Sequence, residues 1–173
     1  RAFGFVVLRG ACDAGRLRAE LLQALTEGVT STFGADVGTG EINGQYVPMM
    51  IPQTSYSLAL LDTFAPAAAA LLGGDVLPVR AKGIRYFGST PWHTDSDHAV
   101  ASVGFAAYLE PLDAASGALR VIPGSHHTSA AAMRAYLTAL GPDTPVAALP
   151  GVAITTQPGD VIAFDEHLLH ASS

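Results

Sequence analysis

Charge is scarce in this chain. Only 14% of its 173 residues are Asp, Glu, Lys or Arg, and nine Lys or Arg stand against fifteen Asp or Glu. A net charge of -6 with so few cations leaves no basic face for a phosphate backbone, so nucleic acid is not an expected partner. The same scarcity argues against a large polyphosphorylated substrate. Cysteine is nearly absent. The single Cys12 excludes an internal disulfide and suits a reducing, cytoplasmic setting. With no matched base in the sequence, it reads as a buried or cap residue rather than a nucleophile. Long hydrophobic runs are lacking too. Ala67–Leu72 comes nearest and falls far short of the roughly 20 residues of a membrane span, and no signal-peptide flanks appear, so no membrane partner is expected.

What the chain does have is apolar bulk, 49% of residues, in a length that suits one domain over 1–173 with a substantial core. Neither Arg1 nor Ser173 looks like a natural terminus, so the domain is expected to be clipped at both ends. Phe3–Leu8 reads as a strand. Asp13 is placed to N-cap a helix carrying Leu17, Leu21, Leu22 and Leu25 up to Gly28. The glycine-rich stretch from Val29 to Pro52 has little periodicity and reads as a lid or mobile loop. Tyr46, Met49 and Met50, with Gln53 and Tyr56 beyond, are candidates to line a pocket there. Ser55–Leu61 and Pro66–Leu72 read as two helical pieces ended by Gly73–Gly74. Val76–Phe87, Val100–Leu109 and Ala118–Ile122 read as strands, and Ser129–Leu140 as a helix. Val152–Thr156 and Val161–Phe164 are expected to pair across the turn Gln157–Pro158–Gly159–Asp160. Leading helices followed by short strands with Pro/Gly turns imply an α+β chain with a barrel-like double sheet.

Chemistry concentrates in Thr90–Pro91–Trp92–His93–Thr94–Asp95–Ser96–Asp97–His98. In an extended chain His93 and Asp95 point to the same face. A second histidine from Phe164–Asp165–Glu166–His167–Leu168–Leu169–His170 would complete two imidazoles and one carboxylate, the ligand set of non-haem Fe(II) oxygenases. Alone, a His-x-Asp is common, Asp95 could equally cap a turn, and zinc takes the same ligands.

Four stretches taken in order resemble one family. Trp92–His93–Thr94–Asp95, Gly117–Ala118–Leu119–Arg120–Val121–Ile122–Pro123–Gly124–Ser125–His126, Pro158–Gly159–Asp160–Val161–Ile162–Ala163–Phe164 and His170–Ala171–Ser172 are similar to the phytanoyl-CoA dioxygenase family, as is the opening Gly4–Phe5–Val6–Val7–Leu8–Arg9–Gly10. The resemblance implies a double-stranded β-helix (jelly-roll, cupin-like) with helices packed outside, Fe(II), 2-oxoglutarate as co-substrate and O2. It implies His93, Asp95 and His170 as the catalytic iron ligands, since the family's distal histidine directly precedes a small residue and serine, which favours His170 over His167. Asp97 and His98 fall outside the pattern as a rim or solvated turn, and His126 and His127 follow a turn where histidine is structural. The family's arginine for the far carboxylate of 2-oxoglutarate would lie beyond Ser173, with the last strand. Arg120, Lys82 and Arg85 are the carboxylate-binding candidates inside the sequence, and alternation alone does not say which of Leu119 and Arg120 points inward. Tyr46, Met49, Gln53 and Trp92 are the substrate candidates.

Halogenating relatives lack the carboxylate, so Asp95 implies hydroxylation or a related oxidation (desaturation, cyclisation, epoxidation). The implied reaction converts 2-oxoglutarate to succinate and CO2 and removes hydrogen from a small organic substrate, as in natural-product or metabolite tailoring. The competing readings are a cupin-like metal isomerase or hydrolase, and a non-catalytic metal-binding domain. Oligomeric state is not encoded in any feature noted.

Overall fold

The computed structural model describes residues 2–27, 31–33, 44–141 and 143–172. In chain order its main elements are β1 (Phe5–Leu8), α1 (Ala14–Glu27), β2 (Ser31–Phe33), β3 (Gly44–Pro48), α2 (Ser55–Leu72), β4 (Lys82–Tyr86), β5 (Thr90–His93), β6 (Val103–Ala107), β7 (Leu119–Val121), α3 (Ala130–Leu140), β8 (Val152–Ala153), β9 (Val161–Asp165) and β10 (His170–Ser172). They gather into two compact units, Arg1–Ala11 with Ser89–Ser173, and Cys12–Gly88.

The first unit has the jelly-roll architecture. Two antiparallel sheets, ordered β1-β9-β6 and β5-β10-β7-β8, share one apolar layer. Leu119 and Val121 from one sheet meet Ile162 and Phe164 from the other, with Ile154 and Leu168 closing the cluster. Alternation builds this layer, because every second side chain of each strand faces it.

The expected hairpin between Val152–Thr156 and Val161–Phe164 does not form. Strand β9 is central, with β1 on one edge (Phe5↔Phe164 to Leu8↔Val161) and β6 on the other (Val103↔Asp165 to Ala107↔Val161). Both edges are filled. Residues from 152 onward pair in the other sheet instead, through Val121↔Val152, the Ile154 N–H on the Leu119 carbonyl, and the bridge Leu112↔Thr156. The Pro158–Gly159 turn therefore carries the chain from one sheet to the other, with Gly159 at φ 91, the left-handed conformation glycine allows. Asp160 pins that turn. Its buried carboxylate accepts from the Arg9 guanidinium at 2.6 Å and from the N–H groups of Gly10 and Gln157, each at 2.9 Å. Those donors hold its pKa below the ordinary carboxylate value, the Gln157 N–H most.

The second unit sets α1 against the sheet β2-β3-β4, burying Ala24, Val47 and Met49. Asp13 caps α1 as expected, its Oδ1 accepting from the Arg16 N–H at 3.0 Å. Glu20 then caps α2, accepting from the N–H groups of Tyr56 and Ser57 at 2.7 and 2.9 Å. The two helical pieces expected around Pro66 are one helix. Pro66 sits inside α2, followed by four alanines and two leucines, strong helix formers on the C-terminal side of the missing N–H. The helical stretch Pro52–Leu72 is thus 21 residues long, and its most apolar window of 18 residues has mean hydropathy 1.3, long and apolar enough to cross a membrane by length and composition. That corrects the expectation that no run reaches such a length. One such helix is slight evidence for a membrane, and α2 also carries Asp62, Ser55, Ser57 and Thr63. Several strands are shorter than expected, most of all β4, which begins only at Lys82, and β6, which spans Val103–Ala107. Much of the expected lid, from 34 to 43, lies outside the described residues.

Candidate metal centre

The site is assembled by one strand pairing. β5 and β10 run antiparallel with His170 directly opposite His93, and the register shifts only after that pair, before Ser172↔Thr90. Opposed residues share a face, so the two imidazoles stand on the same side of the sheet, ring centroids 4.2 Å apart. Val121 opposes His170 from β7 and belongs to the core cluster, which identifies that side as the jelly-roll interior.

Asp95 arrives from the loop that follows β5. Its Oδ1 lies 3.7 Å from His93 Nε2 and 3.9 Å from His170 Nε2, and the three ligating atoms lie within 4.8 Å of one another. Each imidazole is anchored by its other nitrogen: His93 Nδ1 is 2.8 Å from the Pro91 carbonyl, and His170 Nδ1 is 2.8 Å from the Leu168 carbonyl. A carbonyl only accepts, so both Nδ1 atoms donate. Both Nε2 lone pairs are left facing Asp95, the arrangement that orients metal-binding histidines. His170 is 5% exposed, and this burial, together with the nearby His93, holds its pKa below the ordinary histidine value. The Leu168 carbonyl and Asp95 act in the opposite sense, more weakly. A neutral imidazole is the form that ligates.

His167 is not part of this trio. Its Nδ1 is 2.9 Å from Asp165 Oδ1 and its Nε2 is 2.6 Å from the His98 carbonyl, so both ring nitrogens are engaged elsewhere. The His98 carbonyl first, and Asp165 after it, hold its pKa above the ordinary value. The side chains of Asp97 and His98 are solvated, as expected of a turn outside the motif. His126 and His127 lie in a short turn whose Ser125 Oγ accepts from the Leu169 N–H at 2.8 Å, so the Pro-Gly-Ser segment steadies the residue before His170.

Several expected site residues point elsewhere. Trp92 adjoins His93 and so faces the opposite side of the sheet. It is 5% exposed, packs with Met133, Val146, Leu169 and Ala171, and its indole N–H donates to the Val146 carbonyl at 3.1 Å. It is a core residue and has no surface for a substrate. Arg120 pairs with Ala171 and shares that outer side, its guanidinium donating to the Ala114 carbonyl at 3.2 Å. Leu119 is the inward residue. Of the other described cations of this unit, Arg9 is paired with Asp160, and Arg134 lies 3.8 Å from Asp97. The arginine implied beyond Ser173 lies outside the described residues. In the second unit Met49 is buried in the core rather than lining a pocket, whereas Tyr46, Gln53, Lys82 and Arg85 are exposed there. Reading the sequence also missed a hydroxyl pair, Thr90 Oγ1 and Ser172 Oγ at 2.8 Å, and the two N–H groups, Asp95 and Ser96, that the Glu166 carbonyl receives. Only the pairing register reveals either.

The profile of the family Phytanoyl-CoA dioxygenase (PhyH) matches residues 1–173. The chain belongs to that family. Membership makes it an enzyme of the dioxygenase class. No curated protein matches it significantly. Among solved structures it is similar to the non-haem α-ketoglutarate-dependent epimerase SnoN from nogalamycin biosynthesis, at TM-score 0.75 and 18% identity over 100% of this chain and 73% of that one. HygX from Streptomyces hygroscopicus, with nickel and 2-oxoglutarate bound, gives TM-score 0.70 and 19% identity over 99% and 76%. EctD from S. alaskensis, with 2-oxoglutarate and 5-hydroxyectoine, gives TM-score 0.68 and 23% identity over 99% and 67%. At such identities the likeness speaks for the fold.

Proposed function

We propose that this PhyH-family chain is an Fe(II)- and 2-oxoglutarate-dependent oxygenase acting on a small organic substrate in the cytoplasm, with His93, Asp95 and His170 as the metal ligands. The observation that carries the reading is the pair of imidazoles with Nδ1 fixed on backbone carbonyls and Nε2 facing one carboxylate. The donor set fits an ion: two ligands at about 2.1 Å from one metal stand at most about 4.2 Å apart, the two carboxylate–imidazole separations of 3.7 and 3.9 Å lie inside that limit, and all three ligating atoms lie within 4.8 Å of one another, so a small closing of the two imidazoles completes the site. Two imidazoles and one carboxylate leave three positions for a bidentate co-substrate and dioxygen.

When bound, the iron supplies the coupling of oxidative decarboxylation of 2-oxoglutarate to oxidation of the substrate. The chain does the rest. The Pro91 and Leu168 carbonyls fix the tautomers and turn both Nε2 atoms toward the ion, and Asp95 adds the negative charge that favours a divalent cation. Burial keeps His170 unprotonated near neutral pH. Because Asp95 fills the carboxylate position, oxidation rather than halogenation is the outcome, by hydroxylation, desaturation, cyclisation or epoxidation. The solved relatives support a small-molecule substrate, since SnoN acts in the biosynthesis of nogalamycin and EctD holds 5-hydroxyectoine.

The test is stoichiometric. Protein reconstituted with Fe(II) and given 2-oxoglutarate is expected to release succinate in step with oxygen uptake, and the His170→Ala variant to release none. Metal-dependent turnover that ignores oxygen would make it an isomerase or hydrolase instead.

A further inference from the structure

The turn between β9 and β10 does more than lead into His170. Its Glu166 carbonyl accepts from the N–H groups of Asp95 and Ser96, at 2.9 and 3.0 Å, and so holds the start of the Asp95 loop. Its His167 ring reaches the loop's other end, with Nε2 2.6 Å from the carbonyl of His98, 69 residues away in sequence. Asp165 braces that ring: one carboxylate oxygen lies 2.9 Å from both Nδ1 and the His167 N–H. The turn is itself closed by the Leu168 N–H on the Asp165 carbonyl at 2.8 Å. A carboxylate and a carbonyl are acceptors, so the ring donates through both nitrogens. A solvated surface histidine would engage neither, and this side chain is only 22% exposed.

We propose that His167 is a positioning residue for the metal centre: its imidazole, braced by Asp165, fastens the far end of the Asp95 loop through the His98 carbonyl and so sets where the Asp95 carboxylate meets His93 and His170. The inference rests on reading the trio as a metal site. Loop 94–98 is then held at two points by a turn three residues from His170, so the carboxylate ligand and the distal imidazole share one support. Of the two ring contacts, only the Nε2 bond crosses to the loop, while the Nδ1 bond stays inside the turn. A glutamine places its amide nitrogen near the Nε2 position and an asparagine near the Nδ1 position. The two variants therefore separate the clamp from the brace.

Titration with Co(II), followed by its visible absorbance, reads the site without turnover. Wild type and His167→Gln are expected to bind within about threefold of each other, and His167→Asn and His167→Ala about 10-fold more weakly, the low end of the range seen when a direct partner of a ligand is lost, because His167 acts on Asp95 through the loop. Thermal unfolding of the metal-free Gln and Asn variants is expected to differ by no more than the few degrees that one hydrogen bond gives, while their Co(II) affinities differ about tenfold. If Asn binds as tightly as wild type, or Gln as weakly as Asn, the clamp is refuted while the trio stands, provided His170→Ala still loses Co(II). If wild type fails to bind Co(II), or His170→Ala binds like wild type, the metal reading falls and the clamp falls with it. Should the alanine variant not fold, the Gln and Asn pair, matched in polarity, decides.

Discussion

Two sides of one sheet make the instructive comparison. Along β5, β7 and β10, His93, Val121 and His170 face the jelly-roll interior, while Trp92, Arg120 and Ala171 face outward. The residues before β10 continue the alternation: Leu168 joins the inner cluster and Leu169 the outer one. Neighbouring residues thus have unrelated settings, the proposed metal ligands on one side and apolar packing against α3 on the other. A slip of one residue would exchange them. The register irregularity in the β10–β5 pair falls after His170↔His93, where it leaves the pairing of the two histidines intact.

The sharpest way to break this contrast is to cut one residue on each side. His170→Ala is expected to lower Co(II) or Fe(II) affinity by more than about 100-fold, beyond the range seen for losing a mere partner of a ligand. Leu169→Ala, one position earlier and 3% exposed, is expected to cost about 2–5 kcal/mol of stability from the cavity it leaves. Metal affinity of the protein that remains folded should stay near wild type. Isothermal titration beside urea unfolding measures both, and a strong metal defect in Leu169→Ala would show that the two sides are not separable.

Trp92→Phe probes the outer side more gently. The change keeps most of the ring volume but leaves the Val146 carbonyl without its indole donor. A loss of about 1–3 kcal/mol is expected for that unsatisfied buried acceptor, read as a lowered Tm, with KM for any substrate unaffected. A KM effect with no change in Tm would return Trp92 to the pocket.

The sequence made the inner side legible and left the outer side ambiguous, for a physical reason. His93 and Asp95 are recognisable because ligand chemistry needs those atom types at that spacing, whereas His170 is preferred to His167 only through the resemblance to the family. The order of short strands and Pro/Gly turns points to a barrel-like double sheet, and the resemblance to the family makes it a jelly-roll. Trp92 is drawn toward the site because it lies next to His93 in the chain, and adjacency along a strand means opposite faces, while Arg120 is drawn by its place on the strand before the Pro-Gly-Ser turn, where alternation alone does not say which of it and Leu119 faces in. Met49 was misplaced likewise: a methionine serves a core as readily as a pocket, and only the packing against Ala24 and Val47 decides. The 152–164 hairpin failed because its turn was read correctly but its partners were not. Pairing is a property of free edges, and β9 has none left once β1 and β6 are in place. In α2, alanines and leucines carried the helix through a proline that local rules treat as a break.

Acidity sharpens the contrast between His170 and its neighbour in the turn, His167. The folded pKa of His170 is lowered, chiefly by burial. The unfolded chain therefore binds a proton that the folded state resists, and metal-free stability falls as pH drops below about 6.5 toward that lowered value. His167 has its folded pKa raised, chiefly by the His98 carbonyl. Its contribution is fully present below about 6.5 and is lost as pH rises through the raised value. Each group alters stability by at most about 1.4 kcal/mol per pH unit. Urea midpoints of the metal-free protein between pH 5 and 9 are expected to peak between the two limbs, and His167→Gln to flatten the alkaline limb only. Flattening of the acid limb by that variant would assign the wrong histidine to it.

The smallest effect is expected at Arg120, and its smallness is the point. Arg120 opposes Ala171, so its guanidinium lies on the outer side of the sheet with its donor on the Ala114 carbonyl. If the inner side alone handles the co-substrate, Arg120→Met should leave KM for 2-oxoglutarate within about twofold and kcat unchanged, because uniform binding is lost only when a contact to the ligand is lost. The methionine keeps the Cβ that lies beside Gly151 and an unbranched apolar stem of similar reach, so stability should move little as well. A tenfold rise in KM with kcat intact would mean that this side chain reaches the co-substrate, and the division of the sheet into a chemical and a packing side would no longer hold at β7.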